Sequence, residues 1–288
     1  MTALPRLLAF AVALTLVFGV AAFAGSRIDA HPGTRTDSAE KDMDAMPGDR
    51  DDHGADAMPA QPVRGLAVSE NGLTLDLDRL TAPRGAPTTL TFRIRDRRGA
   101  PVRNFDVEHT KRMHLIVVRR DMRGFQHLHP TQGAGGVWSV PVTLPDAGTY
   151  RVFADFSVGG KPYTLGGDLA GDGAVATGNL PAPRRSVTVD GLQVAIATHG
   201  GPAGRESQID FTVTRGGRPV QLREYLGARG HLVALREGDL AFLHVHPDEN
   251  RLRFMATVQQ PAAYRLFLQF KPRDNRIHTA AFTQEVTR

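Results

Sequence analysis

Six of the chain's eleven histidines belong to one pattern that occurs twice. Phe125-Gln126-His127-Leu128-His129-Pro130 returns as Phe242-Leu243-His244-Val245-His246-Pro247, and in each copy another histidine, His114 or His231, stands thirteen residues before the first of the pair. Imidazole is the commonest side-chain metal ligand, and three per site suit Zn²⁺ or Cu²⁺. The bland alternative is that these rings only pack and hydrogen-bond backbone at a sheet edge. A lone histidine is usually of that kind; a duplicated His-x12-His-x-His set favours a metal. Cys is absent, which removes thiolate metal sites, blue-copper centres, disulfides, lipoprotein acylation and Cys nucleophiles together.

The elements that must position these rings are strands. Met113 to Arg119 reads as one strand and Gly124 to His129 as the next, with Arg120 to Arg123 as the turn of a hairpin. A four-residue loop pairs even positions with odd ones, so His114 shares a face with His127 and His129 and lies opposite one of them. Directly opposed Cβ atoms are ~4.5–5.5 Å apart, close enough for three rings to converge. The same geometry is expected of His231, His244 and His246. The other face carries Leu115, Val117 and Leu128, or Leu232, Ala234, Leu243 and Val245, which is a core stripe. The histidines therefore point away from the core, beside Ile116, Val118 and Phe125, or Val233, Leu235 and Phe242. That outer face is too apolar for water. It is expected to be covered, by the other copy or by the N-terminal linker.

Further candidates are weaker. Met113 adjoins His114 and would favour copper, although alternation turns it to the opposite face, and Gly230 replaces it in the second copy. His109 and His278 are possible additional ligands or surface residues. Asp155 and Asp168 could orient a histidine, with Gln269 standing where the second copy should repeat Asp155; sheet-face or turn positions explain them as well. Trp138 reads as core or rim packing. Arg119, Arg120 and Arg123 read as a solvated cluster that could also meet the acidic linker.

The whole second half repeats the first. Pro101-Val102 matches Pro219-Val220, the histidine block aligns without a gap, and Gly148-Thr149-Tyr150-Arg151-Val152-Phe153 matches Ala262-Ala263-Tyr264-Arg265-Leu266-Phe267. Period-two stretches such as Leu73-Thr74-Leu75-Asp76-Leu77, separated by turn signals and with no helical period, indicate an all-β chain of two tandem immunoglobulin-like β-sandwiches. The expected division is a first repeat over 63–183 and a second over 184–288.

Ahead of them, Leu7 to Ala24 is an uncharged, mainly apolar run of eighteen residues after Arg6, ending Ala22-Phe23-Ala24. Residues 1–24 fit either a cleaved signal peptide or a single transmembrane anchor, and both place the rest outside the cytoplasm. Residues 25–62 read as a disordered acidic linker. It contains Met43, Met46, His53 and Met58, a thioether and imidazole set that suits Cu(I) or Ag(I) but is also compatible with a plain tether. The formal charge is +5; on an exported chain it reads as a solvated surface, and no nucleic-acid motif accompanies it.

Lys111-Arg112-Met113-His114-Leu115-Ile116-Val117-Val118, Phe125-Gln126-His127-Leu128-His129-Pro130 and Gly148-Thr149-Tyr150-Arg151-Val152-Phe153-Ala154-Asp155-Phe156 together resemble a group of exported, often membrane-anchored bacterial β-sandwich proteins, akin to YtkA-like and other periplasmic copper-handling modules. The resemblance spans residues 63–288. It implies heavy-metal handling, copper before others, with no established catalysis. The partners that follow are a metal ion (copper, or zinc), a metal-transfer protein, and the membrane if the leader is retained. An interaction module with packing histidines is the second reading. A cupin-like metalloenzyme built on Gly238-x5-His244-x-His246-x2-Glu249 is the third, weakened by a short spacing to the acid and by no equivalent acid in the first repeat.

Overall fold

The computed structural model describes residues 63–200, 202–243 and 245–287. The leader, the segment with Met43, Met46, His53 and Met58, and His244 lie outside the described residues. Among the described residues no helix is long and apolar enough to cross a membrane.

The first repeat contributes β1 (Ser69–Glu70), β2 (Leu73–Leu77), β3 (Thr81–Ala82), β4 (Pro87–Arg95), β5 (His114–Arg119), β6 (Gln126–Leu128), β7 (Thr131–Gln132), β8 (Trp138–Thr143), β9 (Gly148–Val158) and β10 (Lys161–Gly171). The second contributes β11 (Ser186–Val189), β12 (Leu192–Gly200), β13 (Glu206–Arg215), β14 (Arg218–Pro219), β15 (Leu222–Arg223), β16 (Gly230–Arg236), β17 (Phe242–Leu243), β18 (Val245–Pro247), β19 (Arg253–Thr257), β20 (Ala262–Pro272) and β21 (His278–Val286). Each repeat folds into two sheets: β1-β2-β4-β8-β7 against β3-β10-β9-β5-β6, and β11-β12-β13-β19-β18, with β14 beside β13, against β15-β20-β16-β17, with β21 beside β20. The fold is all-β, two tandem immunoglobulin-like β-sandwiches. In both, a tyrosine ties its strand to the backbone four residues upstream: Tyr150 Oη donates to Asp146 O at 2.9 Å and Tyr264 Oη to Gln260 O at 2.9 Å, the corner found in immunoglobulin-type sandwiches.

Each sandwich has its own core. Leu115 and Val117 of β5 meet Tyr150, Val152, Ala154 and Phe156 of β9 in the first; Leu232 and Ala234 of β16 meet Tyr264, Leu266, Leu268 and Phe270 of β20 in the second. The intervening residues of the same strands point the other way and form a third apolar cluster. It joins Ile116, Val118, Met122 and Phe153 to Val233, Leu235, Leu240 and Phe267. The two histidine-bearing sheets therefore pack on each other through their outer faces, and the cover expected for those faces is the other repeat. Each large apolar side chain buried there contributes about 1.5–3 kcal/mol, so this interface outweighs any single polar contact within it.

The interface is arranged about a pseudo-twofold axis. Phe125 stacks on Phe267 at 4.1 Å, and its counterpart Phe242 packs on Phe153, the counterpart of Phe267, at 5.6 Å. The entry to the first repeat also lies here: Phe242 N donates to Arg64 O at 3.0 Å. Gly65 follows with φ +77°, and a Cβ there would come 2.7 Å from the Phe153 ring, so only glycine fits.

Candidate functional site

β5 and β6 pair in the expected register, Leu115 opposite Leu128 and Ile116 opposite His127. One further step puts His129 opposite His114. Their rings lie 5.1 Å apart, and His127 is 5.2 Å from His114 and 4.8 Å from His129. One nitrogen from each of His114, His127 and His129 falls within 4.8 Å of the others. His114 is 2% exposed and His127 9%, while His129 is half-buried.

The hydrogen bonds orient the rings. His114 Nε2 lies 3.1 Å from the Glu108 carbonyl oxygen and donates to it. His127 Nδ1 lies 2.7 Å from Gln269 Oε1, an acceptor contributed by β20 of the second sandwich. With those two hydrogens placed, the nitrogens that face each other at 3.0 Å, His114 Nδ1 and His127 Nε2, are both lone pairs. His129 Nε2 is buried without a hydrogen-bond partner. Two lone pairs thus face each other beside a third ring whose buried Nε2 has no partner, an arrangement that a cation relieves. Zn–N bonds of ~2.0–2.1 Å at a tetrahedral angle separate two nitrogens by about 3.3 Å; the His114–His127 pair at 3.0 Å fits that spacing, and the His129 nitrogen, within 4.8 Å of both, completes a three-nitrogen set by a turn of its ring toward them.

Burial suppresses protonation. Removal from water lowers His114 to about 4, and does the same to His129. It lowers His127 to about 3, helped by the neighbouring His114 and His129. His231, buried against His127 and His114, is also held well below the usual imidazole range. At neutral pH all four rings are neutral.

His231 joins this cluster rather than forming a second one. Its ring lies parallel to His114 at 5.6 Å and over His127 at 4.7 Å. A stacked ring presents its face, so His231 roofs the triad instead of aiming a nitrogen at the same point. His109 closes the edge, 6.2 Å from His114 and 5.8 Å from His231. It is held there by a turn in which His109 has φ 46° and Thr110 φ 68°, conformations that β-branched residues in particular resist. Beside them a cavity of about 40 Å³ is lined by His109, His231, Asp155 and Phe242, among others. Asp155 sits opposite His114 in the β5–β9 register, accepts a hydrogen bond from Thr164 Oγ1 at 2.7 Å, and is pushed up to about 6 by burial.

Beyond these, the other candidates are not gathered at this triad. Of the second set, His244 lies outside the described residues, His231 packs against the first triad, and His246 is exposed. β17 pairs with β16 only through Leu243, and by Val245 the chain has crossed to β19, where His246 pairs with Met255 and is exposed. In the first repeat that crossing waits until Thr131, on β8. Since Val245 is the counterpart of Leu128, the second repeat crosses three positions early, which turns His246 outward while Val245 and Pro247 line the cavity beside His231. Glu249, also exposed, does not complete a cupin-like set with it. Met113 is 1% exposed in the first core, on the face opposite the triad. His278 lies elsewhere, its two nitrogens 2.8 Å from Asp190 and 3.1 Å from Asp274. Asp168 pairs with Arg120 and Arg151 on the sheet face. Arg119 is buried, its guanidinium 2.6 Å from Asp121, because the turn folds back over it. Trp138 packs against Phe92 and Phe105 in the core, as expected. Gln269 was visible in the sequence only as the odd residue replacing Asp155. The signal that could have singled it out is a lone amide on an apolar outer face, opposite His231 in register.

The family described as Domain of unknown function (DUF8832) matches residues 67–169 and again residues 187–288, more than two thirds of the chain. The chain belongs to this family. The two matched segments are the two DUF8832 repeats, and the family found is this one rather than a YtkA-like or copper-handling one. No curated protein matches the chain. Similar solved structures include Salmonella alpha-2-macroglobulin reacted with methylamine, at 15% identity over 78% of this chain and 15% of that one, with a TM-score of 0.28. The Escherichia coli adhesin FdeC is similar at 12% identity over 75% of this chain and 65% of its own, TM-score 0.26. The Yersinia pseudotuberculosis adhesin InvE is similar at 12% identity over 74% and 60%, TM-score 0.22. The chain spans less than two thirds of each, and at such scores they carry no argument about what a DUF8832 pair does.

Proposed function

We propose that the chain binds one late first-row transition-metal ion between its two sandwiches, through His114, His127 and His129, and serves metal sequestration or transfer outside the cytoplasm. The observation that carries this is the convergence of three neutral, buried imidazole nitrogens, one with no partner and two facing each other as lone pairs. The donors are all nitrogen, with Met113 turned into the core. That set suits Cu²⁺ and Zn²⁺, with copper the tighter in intrinsic affinity, and gives no support for a Cu(I) site built on thioether. Export is supported by the apolar run behind Arg6. The Met43, Met46, His53 and Met58 segment is part of the same proposal, as a carrier of softer ions.

A second reading is an interaction module whose imidazoles only pack. The stacking of His231 on His114 and His127 favours it, because stacked neutral rings need no ion.

Calorimetric titration of the purified, untagged chain with Zn²⁺ and Cu²⁺ separates the two. The metal reading expects one tight site per chain, lost in His127→Ala/His129→Ala and retained in His246→Ala. Equal uptake by wild type and the double variant, or none by either, leaves the packing reading.

A further inference from the structure

We propose that Gln269 is a positioning residue for the triad. Its amide, reaching over from the second sandwich, sets which nitrogen of His127 carries hydrogen. It thereby decides whether His114 and His127 bond to each other or turn two lone pairs toward an ion. The inference rests on the metal reading above.

Three contacts stand in a line. Glu108 O meets His114 Nε2 at 3.1 Å, His114 Nδ1 meets His127 Nε2 at 3.0 Å, and His127 Nδ1 meets the Gln269 amide at 2.7 Å. The first end is a carbonyl and only accepts, so His114 keeps its hydrogen on Nε2 and always offers a lone pair at Nδ1. The other end can accept or donate, because a half-turn exchanges the oxygen and the NH₂ of a primary amide without changing its shape. With oxygen toward His127, that ring donates from Nδ1 and presents a lone pair at Nε2: the metal-ready arrangement. With NH₂ toward His127, Nδ1 accepts, the hydrogen sits on Nε2, and it bonds to His114 Nδ1. Every member of the chain is then satisfied without an ion. Thr279 Oγ1, 3.4 Å from the amide nitrogen, is placed to donate to the oxygen that replaces it. Each imidazole holds one N–H in both states, so no group changes charge; His127 loses a hydrogen at Nε2 and gains one at Nδ1.

Few other side chains would serve. A carboxylate such as Asp155, which holds the matching position in the first repeat, only accepts and would fix one state. An apolar residue would fix neither. Gln269 is 7% exposed and His127 9%, so water competes poorly for the contact. Pairing of Gln269 with His231 in the β16–β20 register fixes the strand position from which the amide reaches His127.

The test reads the tautomer of His127 by long-range ¹H–¹⁵N NMR on the full chain, empty and with Zn²⁺, in wild type, Gln269→Glu and Gln269→Leu. Empty wild type should show both tautomers of His127 in exchange, the Nδ1–H form that the amide oxygen at 2.7 Å selects and the Nε2–H form, and Zn²⁺ should leave only Nδ1–H. Gln269→Glu should show Nδ1–H before any metal is added and keep its Zn²⁺ affinity. Gln269→Leu should lose affinity by roughly 10- to 100-fold, as when an outer partner of a ligand is removed. The same His127 tautomer in empty and loaded wild type overturns the proposal without reference to any variant, as does the same tautomer in empty wild type and Gln269→Glu. If empty wild type and Gln269→Glu differ but neither binds Zn²⁺, the metal reading fails while control of His127 by Gln269 stands.

Discussion

At the scale of single residues, the buried imidazoles make the fold sensitive to acid. They titrate near 6.5 in an unfolded chain, but His114 and His129 are lowered to about 4 and His127 to about 3 in the folded one. Below pH 6.5 the unfolded state therefore binds more protons. Stability is complete above that pH, falls as pH drops to about 3, and levels off beneath. Asp155 acts in the opposite sense: raised from 3.8 to about 6, it takes its proton early and adds stability over that interval. Four imidazoles, His231 among them, against one carboxylate leave a net loss of stability as pH falls. Urea midpoints measured from pH 7.5 to 4 should show it, with a shallower fall in His114→Gln/His127→Gln. His278 is different. Both its nitrogens are bonded to aspartates, and it touches no member of the triad. His278→Ala should lower the melting temperature by roughly 2–4 °C and leave ion uptake unchanged in the same titration. The triad itself was legible, because alternation along a strand places His114, His127 and His129 on one face whatever lies beyond it. Gln269 was not, because its contact with His127 spans 142 residues and depends on how the sandwiches meet.

At the scale of elements, the hairpin joining β5 to β6 sets the register of the triad, and its turn is held by a buried pair. Arg119 and Asp121 have side chains only 7% and 8% exposed, with the guanidinium also donating to Ala147 O at 3.2 Å. The carboxyl of Asp121 is held below its usual range by the guanidinium against the cost of burial. Breaking such a pair leaves an uncompensated buried charge, worth about 3–5 kcal/mol. Arg119→Ala should therefore lose stability on that scale in denaturant titration, and lose ion affinity with it. The difference between the two repeats also belongs to this scale. Val245 alternates correctly for either of two sheets, and nothing in its side chain states which one it joins. Whether a strand crosses at position 128 or at 131 of the repeat is settled by the loop beyond it and by the partner strand, here β19. The duplicated sequence therefore predicts the same histidine geometry twice, while the second repeat packs His231 against the first triad and leaves His246 exposed beside β19.

For the whole molecule, the sandwich fold and its duplication could be read from alternation and self-similarity, but the packing of one repeat on the other could only be inferred from two apolar faces that needed cover. That packing can be tested. Phe125→Ala and Phe242→Ala remove matching rings from the two halves of the interface, and each should cost about 3 kcal/mol in thermal or chemical denaturation. Only Phe125→Ala should also weaken ion binding, since Phe125 leads directly into His127. Saturation with Zn²⁺ should in turn raise the melting temperature, by the equivalent of about 2.7 kcal/mol at a hundredfold excess over Kd, and His127→Ala/His129→Ala should abolish that gain. The pseudo-twofold axis has a further consequence. Two separate copies of one sandwich meeting in this way would carry every residue on both sides of the axis, so a glutamine opposite one triad would stand opposite both. Covalent fusion in tandem lifts that obligation. One copy is free to keep the ligands while the other keeps the residue that aims them, and a division of labour closed to a symmetric pair becomes open to a single chain.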